Sequence, residues 1–353
     1  MSEKNGDSAA RAHTTLYRQY RPQGFSEVRG QSQVTDVLQA AIKNKKMAHA
    51  YLFSGGRGTG KTSVARILAR ELGVTDKDLI EMDAASNRGI DDIRELREGV
   101  YSMPFESPYK FYIIDEAHML TKEAWNAFLK TLEEPPAHAI FVLATTDRDK
   151  VPETIQSRCE VYTFKQPTRE VLAETIMSVA RKEKYEIDKP AAELIALLAD
   201  GSFRDALSVL QKVLSVSKGR IKVEQVELVT GAPRGEFMRA ILIAIAKKNV
   251  RDALAAIKHA EDENFDMRTL TKFLIHRMRH VLLIRYAPEL TKLMQNELTE
   301  ADVTLAQELS KNPGVTSDTL RSLLDAYATM AYAAVPHLPL ELAVIEISSQ
   351  KTN

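Results

Sequence analysis

The sequence predicts an α/β domain built on a parallel sheet, followed by a small all-α domain and a larger all-α domain. Three observations favour this fold class. Short apolar runs alternate with helical stretches from 16 to 166, a glycine-rich loop joins the first apolar run to a helix, and no strand pattern follows Pro167. Apolar runs of this length between helices are typical of a parallel sheet that is covered by helices on both faces.

The α/β domain is predicted over 16–166, after a segment at 1–15 that we expect to be a disordered tail. Its strands are predicted at Ala50–Ser54, Leu79–Met82, Phe111–Ile114, Ile140–Ala144 and Val161–Phe164. The main helices between them are predicted at Ser63–Leu72, Asp91–Tyr101 and Lys122–Leu132. The last of these helices carries Trp125, Phe128, Leu129 and Leu132 on one face, which indicates packing against the sheet.

Two helical domains are predicted after the sheet, a lid domain over 167–232 and a larger domain over 233–348, with a tail at 349–353. The lid helices are predicted at Thr168–Lys184, Lys189–Asp200 and Phe203–Val216. Those of the larger domain are predicted at Phe237–Lys247, Val250–Asn264, Met267–Tyr286, Glu300–Asn312 and Thr316–Val335. Their Leu/Ala stripes are packing faces, and the pattern leaves open whether they pack within the chain or against neighbours.

The composition indicates a soluble protein, with 44% hydrophobic and 27% charged residues among 353. Lys+Arg and Asp+Glu both number 48, so any nucleic-acid site must be a local patch. A single cysteine, Cys159, excludes a disulfide framework and a four-cysteine zinc site. The N-terminal residues lack the apolar core of a signal peptide and no apolar run approaches about 18 residues, so we expect a cytoplasmic protein with no membrane partner.

The segment from Gly55 to Thr62 fits the phosphate-binding pattern GxxxxGK[ST], between a predicted strand and a predicted helix. Its glycines let backbone N–H groups close around phosphates at a helix N-terminus. The predicted ATP-binding residues are Gly55, Gly56, Arg57, Gly58, Thr59, Gly60, Lys61, Thr62 and Ser63. Lys61 would reach the β- and γ-phosphates, and the Thr62 hydroxyl would bind Mg²⁺. The alternative is a glycine-rich loop that serves only as a turn.

Two carboxylates, Asp115 and Glu116, follow the predicted strand Phe111–Ile114. In a P-loop enzyme the first carboxylate holds the water shell of Mg²⁺, and the second orients and deprotonates the attacking water. Glu116 therefore predicts ATP hydrolysis and not merely nucleotide binding. The alternative is an acidic turn of the kind that often ends a strand.

Three further residues are catalytic candidates. Thr146 follows the next strand, where a hydroxyl can bond the attacking water or the γ-phosphate. Arg158 precedes the last strand and could neutralise charge on phosphate, while Arg204 opens a lid helix that could close on the γ-phosphate. The alternatives are a strand-end turn, a solvated surface arginine and an Arg204–Asp205 helix cap, respectively.

Two other residues have simpler explanations. Cys159 fits a small buried hydrophobic side chain better than a nucleophile. His118 invites comparison with a metal ligand, but no cysteine lies near it in the sequence. A structural or hydrogen-bonding role for His118 is therefore favoured.

Together these residues resemble the AAA+ clamp-loader ATPases of bacterial DNA polymerase III, the gamma/tau family, from about Leu16 to Ile347. The segments that carry the resemblance are Tyr20–Pro22, Gly30–Gln31, Ala48–Gly55, Asp83–Ser86, Leu129–Pro136, Leu143–Asp147, Ser157–Cys159 and Gly201–Leu207. The short sequences Leu-Glu-Glu-Pro-Pro and Ala-Thr-Thr-Asp are similar to those of gamma/tau subunits rather than to those of the small subunits of replication factor C. The resemblance implies a RecA-like AAA+ sheet, a helical lid and a C-terminal collar that assembles a ring.

The resemblance also implies roles for individual residues. Thr146 takes the sensor-1 position and Arg204 the sensor-2 position, acting in cis. Arg158 becomes an arginine finger that reaches into a neighbouring subunit's ATP site, so a monomer should hydrolyse ATP poorly. The residues that match the segment lining the adenine are Arg18, Arg21, Pro22 and Val28.

Family members track the phosphates of primer–template DNA with helix N-termini, and Asn87, Arg88 and Gly89 open such a helix here. Asp91 and Asp92 in the same helix oppose phosphate. The implied partners are other clamp-loader subunits in a ring or spiral, the sliding clamp and primer–template DNA, with the polymerase core as a further partner. The resemblance also implies that the protein is cytoplasmic and associated with the nucleoid.

The sequence departs from the family pattern at two places. Typical members carry a four-cysteine zinc module between the P-loop helix and the next strand, whereas Ala69–Asp78 contains no cysteine, so no zinc is expected. The sequence also stops at Asn353 without a tau extension, which leaves open a short gamma-like form, an unusual lineage or a truncated chain.

The family assignment has two rivals. One is another AAA+ DNA-remodelling ATPase such as a branch-migration helicase, for which a winged-helix-like C-terminal domain is expected in place of the collar. The other is a non-hydrolysing scaffold subunit like delta-prime. The complete set of Lys61, Thr62, Asp115 and Glu116 argues against a scaffold, which has no need of it.

Overall fold

The structure, a computed structural model, describes residues 15–217, 219–290 and 300–349. The tail predicted at 1–15 lies outside these residues except for Thr15, and so do 350–353 of the C-terminal tail. The described chain divides into two compact units: one comprises 15–175 and 196–211, and the other comprises the described parts of 176–195 and 212–349. The domain boundaries at 166/167 and 232/233 stay a prediction.

The first unit contains a five-stranded parallel sheet in the order β2-β3-β4-β1-β5. The strands are β1 (Ala50–Gly55), β2 (Leu79–Asp83), β3 (Lys110–Asp115), β4 (Ala139–Thr145) and β5 (Glu160–Phe164). All five strands were predicted, each to within one residue at either end, and the α/β class with a parallel sheet is confirmed.

Helices connect the strands and continue beyond them. Those of the first unit are α1 (Leu16–Gln19), α2 (Ser32–Lys43), α3 (Lys61–Glu71), α4 (Ile90–Val100), α5 (Lys122–Glu133) and α6 (Glu153–Gln156). Three helices contribute residues to both units: α7 (Arg169–Lys182), α8 (Lys189–Leu198) and α9 (Phe203–Val216). Short 3₁₀ turns lie at Phe25–Glu27 and Ala117–Met119. The helix α2 was not predicted.

The sheet is buried on both faces, because consecutive side chains of each strand enter different cores. Tyr51 and Phe53 of β1 join a core that contains side chains of α2 and α3. Leu52, between them, joins a second core with side chains of α4 and α5, including Trp125 and Phe128. Burial on both faces explains why the central strands β1, β3 and β4 appear in the sequence as apolar runs.

The second unit is helical. Besides its parts of α7 to α9 it contains α10 (Val223–Thr230), α11 (Gly235–Ala246), α12 (Val250–Asp262), α13 (Met267–Tyr286), α14 (Glu300–Ser310), α15 (Ser317–Thr329) and α16 (Leu338–Ser349). Among its described residues β pairing is limited to one parallel bridge, Ile187–Ile221. The helix predicted to end at Val335 ends at Thr329, and α16 is a separate helix that packs on α15 and α12. None of the helices described here is long and apolar enough to cross a membrane.

Asp78 closes the short connection between α3 and β2, the place where the resemblance would put a zinc module. The residue is only 1% exposed, and its carboxylate accepts hydrogen bonds from the backbone N–H groups of Phe105 (2.6 Å), Glu106 (3.0 Å) and Ser107 (2.9 Å). Burial raises the pKa of Asp78, but these bonds outweigh burial and hold the pKa well below its usual value.

We expect Asp78→Asn to lower the free energy of unfolding of this unit by about 1–3 kcal/mol at neutral pH, because the NH₂ group of the amide replaces one acceptor oxygen and leaves at least one partly buried N–H donor without an acceptor. Because the folded-state pKa is depressed, the stabilisation is present above the unfolded-state pKa of about 3.9 and is lost as the pH falls through the folded-state pKa. Urea unfolding followed by the fluorescence of the single tryptophan, Trp125, measures both effects. Asp76→Asn, at an exposed neighbour, is the control, and equal midpoints for the two variants would contradict the prediction.

Candidate active site

Three neighbouring strands bring the predicted site residues to one edge of the sheet. β1 lies beside β4, and β4 lies beside β3. β1 leads into the glycine-rich loop, β3 ends at Asp115 and β4 ends at Thr145, next to Thr146. Because the carboxyl ends of parallel strands share one edge, the loop, the two carboxylates and the threonine meet there.

The loop delivers an uncapped helix N-terminus to this edge. Gly60 adopts a left-handed conformation (φ 105°) as the N-cap of α3, and no side chain caps the helix. A Cβ atom at Gly60 would meet nothing within 4 Å, so the space before the helix is open. Uncapped N–H groups and the helix dipole favour an anion at this point, and the loop therefore fits a nucleotide phosphate.

Lys61 is the first residue of α3, and its side chain folds back against the glycine-rich loop. Only 6% exposed, it donates from Nζ to the carbonyl oxygens of Gly55 (2.8 Å) and Gly56 (2.9 Å). Burial lowers the pKa of Lys61, and the carboxylates of Glu116 and Asp115 oppose this shift. The ammonium group is thus placed beside the open helix N-terminus.

Thr62 and Asp115 form a pair of oxygen ligands that fits Mg²⁺. The Thr62 hydroxyl donates to Asp115 Oδ2 at 2.7 Å, and Asp115 Oδ1 accepts from the Glu116 N–H at 2.9 Å. Protein sites for Mg²⁺ commonly use one or two carboxylates and complete the shell with water and phosphate oxygens. Within the described residues no group of three or more His, Cys, Asp and Glu could hold a metal ion, and a Mg²⁺ bound in this way does not require one.

Glu116 is held in an unusual backbone conformation. It is a left-handed residue (φ 48°, ψ 40°) that begins the 3₁₀ turn Ala117–Met119. Its Oε2 atom accepts a hydrogen bond from the Thr146 hydroxyl at 3.1 Å. The two residues predicted to handle the attacking water are therefore in direct contact.

The start of α9 contacts the glycine-rich loop. The Phe203 N–H donates to the Gly58 carbonyl at 3.0 Å, and a Cβ atom at Gly58 would collide with Ser202 Oγ. Gly58 is thus required by this close approach as well as by its φ of 70°. Ser202 caps the helix by accepting from the Asp205 N–H at 3.2 Å, so the alternative of an Arg204–Asp205 cap was wrong.

Arg204 lies in the first turn of α9 with its guanidinium carbon 4.9 Å from the centre of the Tyr17 ring. That geometry is a cation–π contact. It ties the predicted sensor-2 arginine to the segment predicted to line the adenine. Tyr17 was not predicted, because a tyrosine in a short polar stretch has no local signal that identifies its partner.

The four residues predicted at the adenine lie in or near α1 and the first 3₁₀ turn. Arg18 is exposed, with its guanidinium carbon 5.8 Å from the Tyr17 ring centre. Burial, followed by the charge of Arg66, lowers the pKa of Arg21. Pro22 is partly buried, and Val28 follows the 3₁₀ turn and packs at the edge of the core.

Gln31 forms a hydrogen bond with the backbone of the glycine-rich loop and was not predicted as a site residue. It is fully buried, and its amide donates to the carbonyls of Lys165 (2.7 Å) and Thr59 (3.3 Å) and accepts from the Lys165 N–H (3.2 Å). These bonds link the glycine-rich loop to the residue that follows β5. A glutamine in a polar segment gives no sequence signal for partners so far away in the chain.

Arg158, the predicted finger, is engaged within its own chain. Its guanidinium donates to Glu133 Oε1 and to the Thr154 carbonyl, both at 2.6 Å. Burial raises the pKa of the adjacent Cys159 thiol to about 12, so the thiol stays protonated at neutral pH, in agreement with the non-nucleophilic interpretation.

At the predicted DNA-binding site, one of the backbone N–H groups is already bonded to a side chain of the protein. Gly89 is the N-cap of α4, and its N–H donates to Asp92 Oδ2 at 2.9 Å. This N–H is therefore not free for a DNA phosphate, because Asp92 reaches back over the helix N-terminus. Asn87 and Arg88 are exposed, and the Asn87 amide donates to the Asp83 carbonyl at 3.2 Å.

The sheet order, the loop after β1, the carboxylates after β3 and the threonine after β4 define a AAA+ P-loop ATPase. A family model described as DNA polymerase III, delta subunit, matches residues 30–87 and 74–168. A second, described as DNA polymerase III clamp loader subunit, ATPase lid domain, matches residues 172–219.

Curated relatives give the more specific comparison. The chain is 38% identical to DNA polymerase III subunit tau of Bacillus subtilis over 361 aligned positions, covering 95% of this chain and 63% of the relative. It is 34% identical to subunit tau of Escherichia coli, covering 78% of this chain and 46% of the relative. The chain is similar to gamma/tau subunits of DNA polymerase III over most of its own length, and it spans less than two thirds of the length of these relatives.

Solved structures share the AAA+ fold. The chain is similar to the Thermotoga maritima RuvB Holliday junction branch migration motor, with a TM-score of 0.52 and 26% identity, over 64% of this chain and 79% of that one. The similarity agrees with the confirmed fold class. It also involves the class of protein that the first rival named.

Proposed function

We propose that the chain is an ATP-hydrolysing motor subunit of a clamp loader, which opens a sliding clamp and loads it on primed DNA. The observation that carries the proposal is the complete hydrolytic set at one sheet edge of a chain that is similar to gamma/tau subunits. Lys61 lies on the loop, Thr62 bonds Asp115 at 2.7 Å and Thr146 bonds Glu116 at 3.1 Å. A non-hydrolysing scaffold needs none of these contacts.

In the proposed mechanism the loop N–H groups and Lys61 bind and orient the phosphates of ATP. Mg²⁺, when held by Thr62 and Asp115, would supply charge neutralisation on the phosphate oxygens. Glu116 orients the attacking water and accepts its proton, while Thr146 fixes the carboxylate. Arg204 acts from the same chain, and Arg158 acts on the ATP site of a neighbouring subunit.

The adenine segment, the DNA contact and the assembly complete the proposal. Arg18, Arg21, Pro22 and Val28 line the adenine, and exposed Arg88 contributes a sequence-independent phosphate contact. The helices from 233 to 348 form the collar that assembles a ring. If ATP favours the clamp-binding state, the clamp must tighten ATP binding by the same factor.

The helical second unit supports a clamp loader over a branch-migration motor. A winged helix carries a small β-hairpin, whereas the described residues from 233 to 290 and from 300 to 349 form helices and turns. The likeness to RuvB is therefore assigned to the shared AAA+ core. A scaffold like delta-prime is disfavoured by the intact hydrolytic set.

ATP turnover by the chain with its partner subunits, measured with and without sliding clamp and primed DNA, tests the proposal. We expect low turnover alone and a rise of about tenfold or more when both are added, because alignment of neighbouring sites lets the arginine finger act. A lack of stimulation by either would contradict the proposal. Strand displacement along a duplex would favour the helicase, and no turnover under any condition would favour the scaffold.

A further inference from the structure

His118 lies against the predicted general base and has no role in the mechanism above. It is in the 3₁₀ turn that begins at Glu116, and its side chain is only 12% exposed. Nδ1 lies 3.1 Å from the Thr145 hydroxyl and 3.5 Å from Glu116 Oε2. One ring nitrogen thus faces both the end of β4 and the carboxylate of Glu116.

The hydrogen bonds of Thr145 determine which tautomer His118 adopts. The Thr145 hydroxyl donates to the Asp147 carbonyl (2.9 Å) and accepts from the Asp147 N–H (3.0 Å). A hydroxyl has one proton, so toward His118 it has only a lone pair to offer. Nδ1 must therefore carry the proton, since otherwise its lone pair would also face the lone pairs of Glu116 Oε2.

We infer that His118 is a positioning residue whose Nδ1–H ties Glu116 to the end of β4. The N–H donates to Thr145 and directs its positive end toward Glu116 Oε2, the same oxygen that accepts from Thr146. This oxygen thus accepts one hydrogen bond from Thr146 and lies 3.5 Å from the Nδ1–H of His118. The other oxygen, Oε1, is left to meet the attacking water, and the inference rests on the proposed ATPase function.

The partial exposure of the Glu116 side chain is the reason why a restraint matters. The Glu116 side chain is 35% exposed, so several rotamers are open to it. Most of these rotamers would move the carboxylate away from the attacking water. Thr146 is exposed, and it donates a single hydrogen bond to the Glu116 carboxylate. His118, mostly buried between Thr145 and Glu116, supplies the rigid second contact.

Paired variants distinguish this role from simple packing. The amide nitrogen of asparagine can take the place of Nδ1, whereas that of glutamine takes the place of Nε2. With the chain in its assembled complex, clamp and primed DNA, we expect His118→Gln to lower kcat about 10- to 100-fold with KM for ATP changed less than about threefold. His118→Asn is expected to recover most of that loss. His138→Gln is the matched control, because His138 bonds the Val100 carbonyl through Nε2 (2.9 Å), which glutamine reproduces.

A double-mutant cycle provides the second readout. In a Glu116→Gln background, His118→Gln is expected to cause no further loss, since the group it positions is already gone. Equal kcat for the asparagine and glutamine variants, or additive losses in the cycle, would overturn the inference while leaving the ATPase proposal standing. Absence of turnover in the wild-type chain would overturn both.

Discussion

Replacing Arg158 with alanine is expected to leave ATP binding nearly unchanged and to lower ATP turnover in the assembled ring by about 10³–10⁵-fold. The reason is that the proposed finger acts on the phosphates held by a neighbouring subunit and not on those of its own P-loop. Equilibrium binding of ATP to the isolated chain and turnover by the assembled complex with clamp and primed DNA measure the two effects separately.

Arg148→Ala is the matched control for this prediction. Arg148 is an exposed arginine ten positions earlier whose guanidinium bonds Gln156 Oε1 at 2.8 Å. The variant should retain wild-type turnover. A mixture of Arg158→Ala and Lys61→Ala chains should regain part of the lost activity, because the second subunit would supply its arginine to the intact P-loop of the first. Turnover that survives in Arg158→Ala would show that the trans assignment is wrong.

Replacing Glu116 with glutamine is expected to lower the rate of ATP hydrolysis by about 10²–10⁴-fold while ATP and Mg²⁺ still bind. Glutamine retains an oxygen that can accept from Thr146, but it cannot take a proton from water. Single-turnover hydrolysis, started by adding Mg²⁺ to the chain in its complex with ATP, clamp and primed DNA, isolates the chemical step. The variant should also keep the clamp bound, because the ATP state would persist.

Glu123→Gln, an exposed carboxylate in the first turn of α5, makes the same chemical change away from the site. Its hydrolysis rate should equal that of the wild type. If Glu116→Gln hydrolysed ATP within about threefold of the wild-type rate, a loss too small for a general base, another group would have to act in that role.

The sheet could be predicted because burial on both faces leaves a plain signal in the sequence. Phe111 and Ile113 enter one core while Tyr112 and Ile114 enter the other, so the strand contains no polar interruption. The helix α2 left a weaker signal. It begins after Gln31 without a side-chain cap, and only Val34, Thr35 and Leu38 are buried.

The site could be predicted where one short segment carries the chemistry, as in the glycine-rich loop and the pair Asp115–Glu116. Long-range contacts were beyond a sequence pattern. The Arg158–Glu133 ion pair joins two partly exposed side chains from different elements, and nothing in either segment specifies the other. Gln31 is similar, since its bonds to the backbone of Lys165 arise only when the chain has folded.

The left-handed backbone at Glu116 also bears on which residues evolution can retain there. An L-residue with a Cβ atom in this conformation costs roughly 1–2 kcal/mol, whereas glycine adopts it freely and asparagine tolerates it. Selection for folding alone would therefore drive this position toward glycine or asparagine. A glutamate persists only while the chain is selected for hydrolysis, so a lineage that lost the need for turnover should lose this side chain early and become more stable when it did.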